Sequence, residues 1–95
     1  MKASVKNYAP ILCEGVLDEL IGMQVRLLRR SQHITQIQLA KGLNVTYQQV
    51  QKYERGRNRI SSSTLLCIAA ILDRPISEFF MLAEAYIAIE RQLPT

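Results

Sequence analysis

Apolar residues recur along this chain with the period of a helix, and β-branched alternation is nearly absent. From about Glu14 onward, Leu17, Leu20, Ile21, Val25 and Leu28 fall at the steps that build one buried helical face. The pattern predicts a first helix ending near Arg30, with Gly22 a mild weakness inside it. Residues 1–13 are poorly patterned and interrupted by Pro10, so residues 1–15 read as an N-terminal arm. Ser31-Gln32-His33 makes a short polar connection.

Thr35-Gln36-Ile37-Gln38 then fits a capping box, in which Thr35 accepts from the Gln38 amide and Gln38 reaches back. The second helix is brief, turns Leu39 and Ala40 inward, and is expected to stop at a left-handed Gly42. Thr46-Tyr47-Gln48-Gln49 repeats the device, with Gln49 closing the box and Val45 and Val50 bracketing the start. This third helix runs to about Glu54 and ends by Gly56. Two short Thr-capped helices separated by a tight turn form a helix-turn-helix.

After the basic loop Arg57-Asn58-Arg59, the serines at 61–63 offer N-caps for a fourth helix. Leu65, Ile68, Ala69 and Leu72 are its inward stripe, and Asp73-Arg74-Pro75 ends it. A fifth helix is expected from Ile76 to about Gln92, with two apolar stripes. Phe79, Leu82, Tyr86, Ile89 and Leu93 form a heptad-like seam, beside Ile76, Phe80, Ala83 and Ile87. One stripe can dock on the core; the seam is assigned to a dimer interface.

Composition narrows the class. With 95 residues, 48% of them hydrophobic, the chain supports one small core and is too apolar to be disordered. The longest apolar run, Leu65 to Leu72, is eight residues, against the ~18 needed to span a bilayer. Glu14, Asp18 and Glu19 break up the first 25 residues, so no signal peptide is expected and the default is a cytoplasmic protein. Cys13 and Cys67, set among apolar neighbours, read as reduced, partly buried thiols, and His33 is the sole histidine. With no Cys-x-x-Cys pair and no glycine-rich phosphate loop, neither catalytic residues, a metal nor a cofactor is expected.

The net charge of +4 hides an asymmetry. Between Arg26 and Arg59 eight basic residues face one acid, Glu54, for a local balance of +7; the remainder carries −3. One face is thereby suited to a polyanion.

The residues also resemble a known family. Ile21-Gly22-x-x-Val25-Arg26-x-Leu28-Arg29, Ile34-Thr35-Gln36-x-x-Leu39-Ala40, Val50-x-x-Tyr53-Glu54-x-Gly56 and Leu65-x-x-Ile68-Ala69-x-x-Leu72 are similar to the lambda-repressor-like (Cro/Xre-type) helix-turn-helix family. The match covers about Leu20 to Phe80 without gaps. It implies an all-α, five-helix DNA-binding domain over residues 16–80; the last helix departs from the family pattern by running past the usual end, as an extension over 81–95.

The resemblance implies that the third helix enters the DNA major groove, with Tyr47, Gln48, Gln49 and Lys52 reading base edges. Gln suits adenine, Lys suits guanine, and a Tyr ring suits a thymine methyl or a phosphate. Gln36, Thr46, Arg55, Arg57, Asn58 and Arg59 match backbone-gripping positions, whereas Gln51 is expected to point elsewhere. Arg29 and Glu54 match a structural ion pair that orients the recognition helix.

The implied protein is a transcriptional regulator, in the first instance a repressor, that binds a pseudo-palindromic operator in double-stranded DNA as a homodimer. It needs no small-molecule cofactor and no membrane. Two alternatives keep the fold: the antitoxin of a toxin–antitoxin pair, and a protein-interaction module that no longer binds DNA; a protein partner would be a toxin or a co-regulator.

Overall fold

Pro10 does not interrupt the N-terminal segment; it helps to start a helix. In the computed structural model, which describes residues 5–92, α1 spans Ala9–Glu14 with Pro10 in its first turn. A proline there gives up an N–H that has no helical partner in any case. The expected arm is therefore partly helical, and Ile11 buries its side chain. Gly15, with φ +73°, turns the chain into α2, Val16–Ser31.

The remaining elements are α3, Gln36–Leu43; α4, Tyr47–Glu54; α5, Ser62–Leu72; a 3-10 turn, Ile76–Phe80; and α6, Met81–Gln92. Among the described residues the architecture is all-α, with six α-helices where five were expected. Val25, Leu39, Val50, Ile68, Leu72 and Phe79 are fully buried, so α2 to α5 and the 3-10 turn each contribute to one core.

Four of the helices end in the same way. His33, Asn44, Gly56 and Asp73 each take the left-handed conformation, with φ between +53° and +71°. In each case the next N–H bonds the carbonyl five residues back: Ile34 to Arg29 at 3.1 Å, and Val45 to Ala40, Arg57 to Lys52 and Arg74 to Ala69 at 3.0 Å. This satisfies carbonyls that a helix end otherwise leaves unpaired. The stop expected at Gly42 is therefore displaced: α3 continues through Gly42 to Leu43, and Asn44 makes the turn. Asn tolerates the left-handed region better than most residues because its short side chain bonds locally.

Gly22 also has a different role from the one its propensity suggests. A Cβ at this position would lie 2.3 Å from the Tyr53 carbonyl oxygen and 2.9 Å from that of Glu54. The missing side chain lets the middle of α2 lie directly against the C-terminal turn of α4. Backbone meets backbone here, with no flexible group to give way.

The last predicted helix divides in two. A 3-10 turn advances about 120° per residue against about 100° in an α-helix, so a heptad phase drawn through Phe79 does not carry into α6. Phe79 is fully buried in the core, which removes it from any interface. Leu82 and Tyr86 are half-buried, on a helix that packs against α2. Burial raises the Tyr86 phenol above its ordinary pKa, and Glu90 adds to the rise. Ile89 alone of the described seam is exposed, at 59%, and Leu93 lies outside the described residues. The outward face of α6 instead carries Met81, Ala85, Ala88 and Ile89, with Glu84 at its edge.

Candidate nucleic-acid interface

Capping fixes where α3 and α4 begin. At α3 the Thr35 hydroxyl accepts from the Gln38 N–H at 3.0 Å, and the Gln38 side chain accepts from the Thr35 N–H at 2.8 Å. At α4 only half of the expected box forms. Thr46 accepts from the Gln49 N–H at 3.2 Å, without the reciprocal bond from the Gln49 side chain. The Thr46 hydroxyl keeps its own proton free to donate, and its residue is exposed.

Beneath these helices lies one buried charge pair. Arg29 Nε donates to Glu54 Oε2 at 2.6 Å and Nη2 donates to Oε1 at 3.0 Å, a two-pronged geometry. The side chains are 9% and 2% exposed. Arg29 Nη1 also donates to the Ile34 carbonyl at 2.8 Å, holding the turn between α2 and α3. Gln36 Nε2 donates to Glu54 Oε1 at 3.0 Å. One carboxylate thus joins the ends of α2 and α4 to the start of α3. The Gln36 side chain, expected on a phosphate, is turned inward; its exposed asset is the N-terminal turn of α3.

The outward side of α4 presents the other expected residues. Tyr47, Gln48 and Lys52 are exposed, and Gln49 is half-buried. Arg55, Arg57 and Asn58 are exposed after the helix. Among the described residues the ion pairs are Arg29–Glu54, Arg59–Asp18 and Arg74–Glu78, so Lys52, Arg55 and Arg57 have no acidic partner. Arg59 is a different case. Its Nε donates to Asp18 Oδ2 at 3.0 Å and its Nη2 to the Leu12 carbonyl at 3.1 Å, bracing the basic loop against α1 and α2. Position in the sequence grouped Arg59 with the loop arginines; Asp18, 41 residues away, was the unseen partner.

Sequence reasoning also passed over Arg26 and Arg30 and set Gln51 aside. The three line a polar cleft between α2 and α4, at the start of α3. The i, i+4 spacing of Arg26 and Arg30 is visible in the sequence, but which neighbour their side of α2 adjoins is a tertiary property.

A helix-turn-helix family model matches residues 25–79, the stretch from the second half of α2 to the 3-10 turn. The chain belongs to the helix-turn-helix family. This helix-turn-helix chain is 48% identical over 64 residues to an uncharacterized transcriptional regulator in the ATPase CF(0) region of Rhodospirillum rubrum, covering 67% of the chain and 59% of the relative. It is 45% identical over 64 residues to an uncharacterized helix-turn-helix-type regulator of Rickettsia prowazekii, covering 67% of the chain and 49% of that protein. The chain therefore spans roughly half the length of the curated relatives it matches.

Solved helix-turn-helix structures agree. The clp gene regulator ClgR of Corynebacterium glutamicum superposes with a TM-score of 0.70 at 25% identity, over 75% of this chain and 92% of that one. The restriction-modification controller protein C.AhdI of Aeromonas hydrophila gives 0.62 at 29% identity, over 65% and 94%. These relatives are named as regulators, not enzymes. Among the described residues no helix is long and apolar enough to cross a membrane.

Proposed function

We propose that this chain binds double-stranded DNA as a transcriptional regulator, laying α4 in the major groove and acting chiefly by occupying its operator. One observation carries the reading: a Thr-capped α4 presents Gln48 and Lys52 to solvent, followed by Arg55 and Arg57, and none of the three cations has an acidic partner among the described residues. Gln48 and Lys52 supply groups that pair with adenine and guanine edges, and Tyr47 supplies an apolar ring. The unpartnered cations supply affinity for the phosphates, with little regard to sequence. The names of ClgR and C.AhdI, a gene regulator and a controller protein, support the regulatory half of the reading.

Lys52→Ala/Arg57→Ala is expected to reduce the slope of log affinity against log salt by about 2, since each neutralised phosphate contributes about 0.9. Fluorescence anisotropy on a labelled duplex measures it. Wild-type protein with no salt-dependent binding would sink the proposal in favour of an interaction module.

The regulator is proposed to work as a homodimer that presents two copies of α4 one DNA turn apart, about 34 Å. Support comes from the outward face of α6, where Met81 and Ile89 stand 60% and 59% exposed beside Ala85 and Ala88. Small residues between two larger ones let a second helix approach closely. Ile89→Glu is expected to shift the sedimentation mass from two chains to one. A single-chain mass for wild type at micromolar concentration rules out the homodimer and leaves that face to a different protein. Selection of bound oligonucleotides from a random pool returns half-site, spacing and symmetry together.

A further inference from the structure

The family match begins at Val25, so α1 lies outside it. Six residues do not hold a helix in water by themselves, since isolated helices shorter than about 12 residues are marginal. α1 therefore depends on its neighbours. On its inner side Ile11 is buried. Leu12 and Cys13 are exposed, and the partial burial expected of Cys13 and Cys67 is found at neither.

The C-terminal end of α1 is tied by the basic loop. The last carbonyls of a helix have no donor within it, and here Arg59 Nη2 supplies one to the Leu12 carbonyl, 47 residues away. Arg59 Nε meanwhile donates to Asp18 in the first turn of α2. One guanidinium thus caps α1 and fixes the end of the loop to α2. The start of the loop is tied differently, by the Arg57 N–H to the Lys52 carbonyl at 3.0 Å. Between these two ties stands Asn58, which is exposed, as is Arg57 beside it.

The chain entering α1 meets the last turn of α6. Lys6 Nζ donates to the Arg91 carbonyl at 3.4 Å, and Tyr8 and Ile11 line a hollow of about 250 Å³ with Glu90 and Arg91. This segment accordingly runs from the end of α6 to the basic loop. Its hold is weak at both ends. Lys6 is exposed, the Arg59 side chain is 67% exposed, and polar pairs in water contribute little. A short helix held in this way can lift while the core stays folded.

We propose that α1 is a strap that positions the basic loop for DNA. Seated, it holds Arg59 in place, and with it the backbone that carries Arg57 and Asn58; lifted, it lets that backbone move. This rests on the DNA-binding reading and adds a means of regulating it. The grip on phosphate comes to depend on an element that itself stays off the duplex. Because the strap also rests on the end of α6, a second copy docked along Met81, Ala85 and Ile89 steadies it.

The test uses the full chain. Ile11→Ser removes the buried anchor and leaves Arg59 and Asp18 in place. In the free protein, amide hydrogen exchange at Arg57 is expected to quicken severalfold while Val45 keeps its rate. Val45 makes the matching bond, to the Ala40 carbonyl at 3.0 Å, at the end of α3, so it reports any general loosening of the fold. Fluorescence anisotropy on a random-sequence duplex is expected to show binding weakened severalfold. Ile11→Ser/Arg59→Ala is expected to bind no more weakly than Arg59→Ala, because the strap acts through that residue. Leu12→Ser, on the exposed side of the same helix, is expected to match wild type in both measurements. Asp18→Asn leaves Ile11 buried and is expected to quicken Arg57 in the same direction; it carries the test if Ile11→Ser does not fold.

Unchanged exchange at Arg57 overturns the strap, and so does equal quickening at Arg57 and Val45. Losses of affinity that add in Ile11→Ser/Arg59→Ala overturn it too, as do equal effects of Ile11→Ser and Leu12→Ser. In each of these cases salt-dependent binding by wild type leaves the DNA-binding reading standing. Wild-type protein without such binding sinks the strap and that reading together.

Discussion

Arg29→Ala is expected to lower the unfolding free energy by about 3–5 kcal/mol, the usual cost of removing one member of a buried ion pair. Glu54 is 2% exposed at its side chain, so its charge would stay out of water with only Gln36 donating to it. The Ile34 carbonyl would lose its donor as well, loosening the turn that delivers the chain into α3. Urea or thermal unfolding measures the loss directly. The attraction itself is not the source of the cost, because desolvating two charges offsets much of the gain from pairing them. Replacing both partners, as in Arg29→Met/Glu54→Leu, is accordingly expected to recover most of the stability. What the double variant would lack is the carboxylate that joins three helices, so its DNA affinity is expected to fall further than its stability does. An Arg29→Ala protein that melts with wild type would show the pair to be incidental.

Gly22→Ala is the second large effect. A single methyl would be placed 2.3 Å from the Tyr53 carbonyl oxygen, and both groups belong to helix backbone. Overpacking a core with a side chain typically costs about 1–3 kcal/mol because neighbours can change rotamer. No rotamer change is open to a main-chain carbonyl, so the loss is expected at or above about 3 kcal/mol. The glycines at 15 and 42 provide the comparison. Gly15→Ala meets nothing within 4 Å, and only its φ of +73° opposes the change, for a cost of about 1–2 kcal/mol. Gly42→Ala would meet the end of the Ile71 side chain at 2.9 Å, a group that can swing aside. There the gain of about 1 kcal/mol in helix propensity offsets the crowding. The expected order of melting temperature is therefore Gly42→Ala, then Gly15→Ala, then Gly22→Ala. A Gly22→Ala protein as stable as Gly42→Ala would mean that α2 and α4 can separate without penalty.

The features legible in the sequence were those whose cause is local. A threonine three residues before a glutamine states its hydrogen bonds within one turn of chain, and Thr35–Gln38 forms as read. The burial of Leu39, Val50, Ile68 and Leu72 follows from helical period alone. The misreadings share a different cause. Gly42 has the residue type of a left-handed stop, yet Asn44 takes that conformation, because the choice depends on where Val45 can reach the Ala40 carbonyl. Gly22 looks weak by propensity, but its value lies in a contact with residues more than 30 positions away. Phe79 was placed on an outer seam by extending an α-helical phase through residues that adopt a tighter turn.

The proposed interface divides along the same line. Exposure of Gln48 and Lys52 follows from the period of α4, and the Arg29–Glu54 contact follows from resemblance to a family with that pairing. The inward turn of Gln36, the bracing of Arg59 by Asp18, and the gathering of Arg26, Arg30 and Arg55 each depend on how separate helices meet. Helical period cannot supply that information.

The four left-handed helix stops bear on how such a protein diversifies. The turn joining α3 to α4 is closed by main-chain bonds at Asn44 and Val45, and the helix starts are closed by Thr35 and Thr46. The side chains of Gln48 and Lys52 take no part in any of these hydrogen bonds, nor in the Glu54 network. Exchanging them for other polar residues leaves the pose of α4 intact. On the proposed DNA-binding reading, mutation can therefore explore new operators one base contact at a time, without first repairing the scaffold that carries the change.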